Sequence, residues 1–265
     1  MKFLNSKITV KLMIKYTFIL VIPVVLLLSI KIAFQEDTPS KTIDGYIKEY
    51  PPTTPENTTI APQPEEVRVA IDAGHGGNDW GTYYGDIFEK NLNLDISLKL
   101  GALLELQSVN VIYTRTTDTF VGLQERAEIA NNANATLFIS IHNNKMPGNS
   151  SYRGTETLYA ASSNKRFKNM SDKRLAEIVQ EDLVKELKTV DHGIIYRPRL
   201  AVLHRTNMPA IITEIAYLSN KSDREKISTE AFRDKTAQAI SKAVIKALGE
   251  MGAFKSEENK WLILP

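Results

Sequence analysis

The chain has 265 residues, 43% of them hydrophobic and 24% charged, ordinary proportions for a globular protein with room for one substantial domain and additions. Its 33 basic and 31 acidic residues leave a net charge of +2, which argues against nucleic acid as a main partner. Cysteine is absent, so disulfides, a lipid-modified cysteine and thiolate chemistry are excluded together, and any metal must be held by histidine and carboxylate.

Lys2, Lys7, Lys11 and Lys15 precede an uncharged run over residues 16–30, and Lys31 follows it. This pattern predicts a membrane-targeting segment over residues 1–34. At about 1.5 Å per residue the run is short for a hydrocarbon core of about 30 Å, so Lys15 and Lys31 would have to snorkel. Residues 29–34, Ser-Ile-Lys-Ile-Ala-Phe, offer no small-x-small cleavage pattern. An uncleaved anchor is therefore expected, with the lysines in the cytoplasm and the rest of the chain outside the membrane; cleavage would make the protein secreted. Residues 35–66 are rich in Pro, Thr, Ser and acidic side chains and read as an extended linker. The folded domain is expected over 67–250, followed by a tail over 251–265.

The domain opens with a β-branched, doubly apolar strand over 67–72, then Ala73-Gly74-His75-Gly76-Gly77. The glycines allow a tight loop whose backbone can approach a ligand, with the His75 imidazole as its functional side chain. The loop lacks both the G-x-G-x-x-G spacing and the Gly-Lys-Ser/Thr ending of phosphate-binding loops. The bland alternative is a turn with a solvated histidine. Glu89 begins a helix, where the dipole favours a carboxylate. A second strand covers 109–114 and a helix 123–131. The strand over 136–141 runs into His142, and after a Gly/Asn/Ser-rich loop come a strand over 155–160 and a helix over 171–187. Short segments surround Ile194 and Val202. A buried strand over 209–213 ends in Glu214, and an amphipathic helix over 229–248 closes the domain.

This alternation predicts an α/β fold with an open, mostly parallel sheet flanked by helices on both faces, and such sheets bind ligands outside the carboxyl ends of their strands. His75, His142 and Glu214 all fall at that edge. Two neutral imidazoles and a carboxylate are the ligand set of a catalytic zinc with an open fourth position, which assigns Zn2+ to His75, Glu89 and His142. No H-E-x-x-H is present. Glu214 is left as a general base.

Six motifs then carry a resemblance: Asp72-Ala73-Gly74-His75-Gly76-Gly77, Glu89-Lys90-Asn91, Thr114-Arg115-Thr116-Thr117-Asp118, Leu123-Gln124-Glu125-Arg126-Ala127, Ser140-Ile141-His142-Asn143-Asn144 and Glu214-Ile215-Ala216-Tyr217-Leu218-Ser219-Asn220. Across residues 67–248 the chain resembles the zinc-dependent N-acetylmuramoyl-L-alanine amidases, autolysins that cut peptidoglycan. The resemblance implies zinc on His75, Glu89 and His142, with Glu214 as the catalytic carboxylate. It also implies hydrolysis of the amide between the lactyl group of N-acetylmuramic acid and L-alanine. The family usually has proline where Ala73 stands and a small residue in place of Asn143, and neither departure touches a ligand. In some members an inserted helix after the second histidine blocks the zinc until a partner removes it; residues 143–153 are too short and Gly/Asn/Ser-rich for that. Glu156, similar in position to a family glutamate lining the cleft, is a second candidate catalytic residue. Arg115 and Arg126 read either as ion pairs with Asp118 or Glu125 or as substrate contacts, and His192 and His204 match no ligand role. The competing functions are a catalytically silent peptidoglycan-binding or regulatory homologue, and another cell-wall zinc hydrolase such as a carboxypeptidase or deacetylase.

Overall fold

The computed structural model describes residues 62–161 and 165–265, so the membrane-targeting segment and nearly all of the linker lie outside the described residues. Among the described residues no helix is long and apolar enough to cross a membrane. In chain order the elements are β1 (Glu65–Glu66), β2 (Arg68–Ala73), β3 (Tyr83–Tyr84), β4 (Ile87–Phe88), α1 (Glu89–Glu105), β5 (Asn110–Tyr113), α2 (Leu123–Asn132), β6 (Leu137–Asn144), β7 (Thr155–Tyr159), α3 (Asp172–Leu187), β8 (Asp191–Tyr196), α4 (Ala201–Arg205), β9 (Ala210–Tyr217), α5 (Lys221–Ile227), α6 (Glu230–Glu250), β10 (Phe254–Lys255) and β11 (Trp261–Ile263).

Six strands form one sheet in the order β5-β2-β6-β9-β7-β8. Period-2 alternation sorts their side chains into two cores. Val69, Ile71, Leu137, Ile139, Ile141 and Ile211 face α1, α3 and α6, where Ile96, Leu100, Val179, Leu183, Ile240 and Val244 meet them. Ala70, Phe138, Ala210 and Ile212 face the other way, against Ala130 of α2 and Val202 and Leu203 of α4. Helices thus cover both faces, and the β-branched runs are buried because neither face meets water. Ser171 and Thr229 begin their helices as caps, their hydroxyls accepting from the Arg174 and Phe232 amides at 3.0 and 3.3 Å. Each cap contributes about 1 kcal/mol.

The sheet is mixed rather than uniformly parallel. β7 meets β9 antiparallel, whereas β2 with β5, β2 with β6, β6 with β9 and β7 with β8 are parallel. A parallel partner needs a crossover of a dozen or more residues, usually helical. Residues 145–154 carry turns and no helix, so the chain re-enters the sheet from the edge it has just left. This reversal puts the start of β7 beside the end of β9, pairing Glu156 with Glu214, while β6 pairs His142 with Glu214. β6 and β9 also run past these residues, to Asn144 and Tyr217, so His142 and Glu214 lie inside the strands' final turns of pleat and do not terminate them.

Residues 251–265, expected as a tail, are folded. β11 pairs antiparallel with both β10 and β1, which ties Glu65–Glu66 to Leu262 and Ile263, and Ile263 is fully buried.

Candidate metal centre

The loop after β2 is built from beneath by a buried ion pair. Asp72 accepts from Arg126 Nη1 and Thr114 Oγ1 at 2.7 Å each and from Ser140 Oγ at 2.6 Å. Burial by itself would raise its carboxyl, but the Arg126 charge and the two hydroxyls outweigh that and hold it below the usual range. Arg126 also donates to the carbonyls of Ala73 and His75, both at 2.7 Å. Arg115 donates to the carbonyls of Ala73, Gly74 and Lys90 at 2.8, 3.0 and 2.8 Å. Both arginines are buried scaffolding for the loop. The pairings with Asp118 and Glu125 suggested by sequence proximity are replaced by others, because Asp118 takes Lys90 at 2.6 Å and Glu125 accepts from the Gly122 amide at 3.4 Å.

On this base His75 adopts φ 62°, a left-handed conformation that histidine tolerates better than most residues. Gly74 has to be glycine for a different reason: a Cβ there would lie 2.2 Å from Nε2 of His142. The two imidazoles stand edge to face with centroids 4.8 Å apart. Glu89, the first residue of α1 and nearly inaccessible, presents Oε1 to both, 3.2 Å from His75 Nε2 and 2.9 Å from His142 Nδ1. The same oxygen accepts from the Asn143 amide at 3.1 Å and from Asn93 Nδ2 at 3.3 Å, while Oε2 takes the Thr82 amide at 2.7 Å. Burial pushes Glu89 up, but the hydrogen bonds and charges of His142 and His75 prevail and hold it far below the usual carboxylate range. For His75, burial lowers the pKa and the bonds to Glu89 and Asp79 more than restore it, for a net rise.

A metal fits this set. One ligand atom from each of His75, Glu89 and His142 can be chosen so that all lie within 4.8 Å of one another. Donors about 2.1 Å from a tetrahedral ion are roughly 3.4 Å apart, close to the two His–Glu distances. Asp79 was not singled out in the sequence, yet its Oδ2 lies 2.8 Å from His75 Nδ1, which leaves Nε2 for the ion. Its signal was spacing, an acid four residues after the histidine within the same glycine-rich loop.

Glu214 is partly exposed as a residue, but its Oε2 is shut off from solvent and has no hydrogen-bond partner. Burial first, then the charges of Glu89 and Glu156, push its carboxyl well above the ordinary value. Glu156 is buried and held by Asn144 Nδ2 at 3.1 Å. It also bonds Tyr217, whose hydroxyl is raised by burial first and then by the Glu156 charge. His192 lies outside the cluster, stacked on Tyr152 at 4.4 Å, and His204 is exposed on α4. A cavity of about 420 Å³ opens beside His75 and His142, walled by Phe120, Leu123, Leu200 and Ile212.

A model of the N-acetylmuramoyl-L-alanine amidase family matches residues 69–246. The N-acetylmuramoyl-L-alanine amidase LytC of Bacillus subtilis is 37% identical over 172 residues, 65% of this chain but 34% of LytC, so the chain spans about a third of that relative. An N-acetylmuramoyl-L-alanine amidase from Clostridium difficile 630 superposes with TM-score 0.64 at 37% identity, over 69% of this chain and 97% of that one. The CwlD amidase from Clostridioides difficile, solved in complex with the GerS lipoprotein, gives TM-score 0.63 at 32% identity, over 69% of this chain and 99% of that one. With the family model spanning most of the folded domain, the chain belongs to the N-acetylmuramoyl-L-alanine amidases, hydrolases that act on peptidoglycan.

Proposed function

We propose that this protein is a zinc-dependent amidase that cuts the bond between the lactyl group of N-acetylmuramic acid and the L-alanine of the stem peptide. The observation that carries the reading is the convergence of His75, Glu89 and His142 beside a carboxylate oxygen, Oε2 of Glu214, that is buried and accepts no hydrogen bond. When bound, zinc supplies Lewis acidity for the scissile carbonyl and lowers the pKa of water towards about 7.

Glu214 does the proton work. Its unpartnered oxygen can take a proton from water, and burial beside Glu89 and Glu156 raises its affinity for that proton. It then returns the proton to the departing alanine amine, a role worth typically 10² to 10⁴ in rate. Glu156, engaged by Asn144 and Tyr217, acts on Glu214 through its charge and does not compete as a second base. Asp79 fixes the tautomer of His75, and Arg115 and Arg126 hold the loop and make no contact with substrate in this reading. No serine or cysteine nucleophile is required.

On the same reading residues 16–30 hold the catalytic domain on the outer side of the membrane, and cell fractionation tests it. CwlD is seen with a lipoprotein, but here residues 145–154 carry no helix that a partner would need to displace. Function is tested by metal analysis together with mass spectrometry of digested peptidoglycan. The expected result is one zinc per chain and peptides beginning with a free L-alanine amine. Stem peptides shortened from the carboxyl end, or sugars bearing free amines, would move the chain to another hydrolase class; no turnover by the zinc-loaded protein would make it a silent binder.

A further inference from the structure

We propose that Trp80 and Tyr83 form a sugar-stacking platform at the rim of the metal centre, receiving pyranose rings of the glycan strand that carries the scissile amide. This rests on the amidase reading and adds a subsite to it. Trp80 is 49% exposed and Tyr83 51%, yet neither ring is loose. Their centroids stand 6.0 Å apart edge to face, and both lean on Phe88, at 5.3 Å for Trp80 and 6.1 Å for Tyr83. Rings fixed by packing and open on one face bind with little loss of side-chain freedom, and contiguous exposed apolar surface of this kind marks an interaction site.

Position ties the platform to the chemistry. Trp80 lies between Asp79, which contacts His75 Nδ1, and Gly81, where a Cβ would fall 2.5 Å from both Glu89 Oε2 and His75 Cδ2. With successive Cα atoms about 3.8 Å apart, Trp80 cannot stand far from the ligands. The backbone beneath the rings is bonded to α1, with the Glu89 amide donating to Thr82 O at 2.9 Å and the Thr82 amide donating to Glu89 Oε2 at 2.7 Å. Tyr84, on the opposite side of the strand, is also exposed but has one face occupied by the Arg224 guanidinium 3.5 Å from its centroid.

The occupant follows from the chemistry of the substrate. A bond that hangs from N-acetylmuramic acid hangs from a sugar polymer whose rings present C–H faces, which aromatic faces match. The stem peptide carries carboxylates, which call for free cations. The lysine nearest in sequence to the platform's base, Lys90, is engaged by Gly77 O at 2.8 Å and Asp118 at 2.6 Å, and Arg224 by Tyr84 and Leu218 O.

The chain has two tryptophans, so Trp261→Phe leaves Trp80 as its sole tryptophan reporter. The full-length variant, in mild detergent, is titrated with peptide-free glycan strands and separately with free stem peptide. We expect a saturable change in emission with glycan, none with peptide, and about tenfold weaker glycan binding after Tyr83→Ala. In parallel, Trp80→Ala should lower kcat/KM on a multi-sugar muropeptide about tenfold more than on muramoyl dipeptide, with Trp80→Phe restoring most of the difference. Three results would overturn the platform: no emission change even at millimolar glycan, a change with stem peptide alone, or equal loss on the two substrates, which would make the hairpin a mere support for Glu89. The binding experiment needs no turnover, so failure of the amidase reading shows separately, as a parent protein that releases no peptide from peptidoglycan.

Discussion

Replacing Glu214 by glutamine isolates proton transfer from every other property of the site. The side chain keeps its size, and because Oε2 accepts no hydrogen bond in the structure, no existing contact is lost at that atom. What disappears is the capacity to accept a proton, worth 10² to 10⁴ in rate, or roughly 2.7–5.4 kcal/mol of barrier. Metal content should stay at the parent value, because the proposed ligands are His75, Glu89 and His142 and not Glu214. Metal-free stability should rise. A carboxyl whose folded pKa is raised disfavours the folded state at any pH above its unfolded value, and glutamine removes that cost. The gain comes from removing a buried charge alone, since the amide atom that takes the place of Oε2 still lacks a partner, so the melting temperature should rise by a few degrees. Single-turnover release of peptide, zinc analysis and thermal unfolding of chelator-treated protein read the three effects independently. Hydrolysis at the parent rate would place the base elsewhere, with Glu156 the first candidate, and loss of zinc would make Glu214 a ligand instead.

Removing an imidazole with His75→Ala or His142→Ala should abolish both bound zinc and activity, measured by metal analysis and peptide release, since two protein ligands do not hold a catalytic ion. Asp79→Asn should weaken zinc binding 10- to 100-fold in a competition titration with a chelator while leaving the fold intact, because it frees the His75 ring from the carboxylate 2.8 Å away. Gly81→Ala, at φ +64° with its Cβ forced to 2.5 Å from Glu89 and His75, should lower activity at least tenfold and zinc affinity with it, as read by the same titration. Arg126→Met should destabilise by about 3 kcal/mol or more at neutral pH in urea unfolding, because it strands the buried Asp72 charge. The penalty should shrink on acidification: a lowered carboxyl stabilises the fold above its unfolded value of about 3.9 and loses that contribution as pH falls through the folded value. A penalty that stayed constant from pH 7 to pH 3 would contradict it.

The convergence of His75, Glu89 and His142 was legible because it needed only strand order and chemistry: apolar runs ending near His75, His142 and Glu214 point to one sheet edge. The antiparallel entry of β7 was not, since the strand over 155–160 reads the same in either direction and only the missing crossover helix betrays it. Nor were the true partners of Arg115 and Arg126. Local acids are the natural guess, but backbone carbonyls of a loop bent by glycines are left without partners of their own, and these the guanidinium groups satisfy. Asp79 and the aromatic hairpin escaped notice because each makes sense only once His75 and Glu89 are seen facing each other.

The arginine support under the loop bears on the order of assembly. Carbonyls of Ala73, Gly74 and His75 are each held by Arg115 or Arg126, and these bonds owe nothing to an ion. In zinc fingers the metal supplies the folding free energy, so apoprotein is unfolded. Here the cradle's hydrogen bonds come from the chain itself, so on the proposed reading it can form with the rest of the core and loading can follow. If the ion is the zinc proposed above, such a chain would reach its final shape in a zinc-poor compartment and take up the ion where it is first met, so that zinc supply would gate its activity without deciding whether it survives.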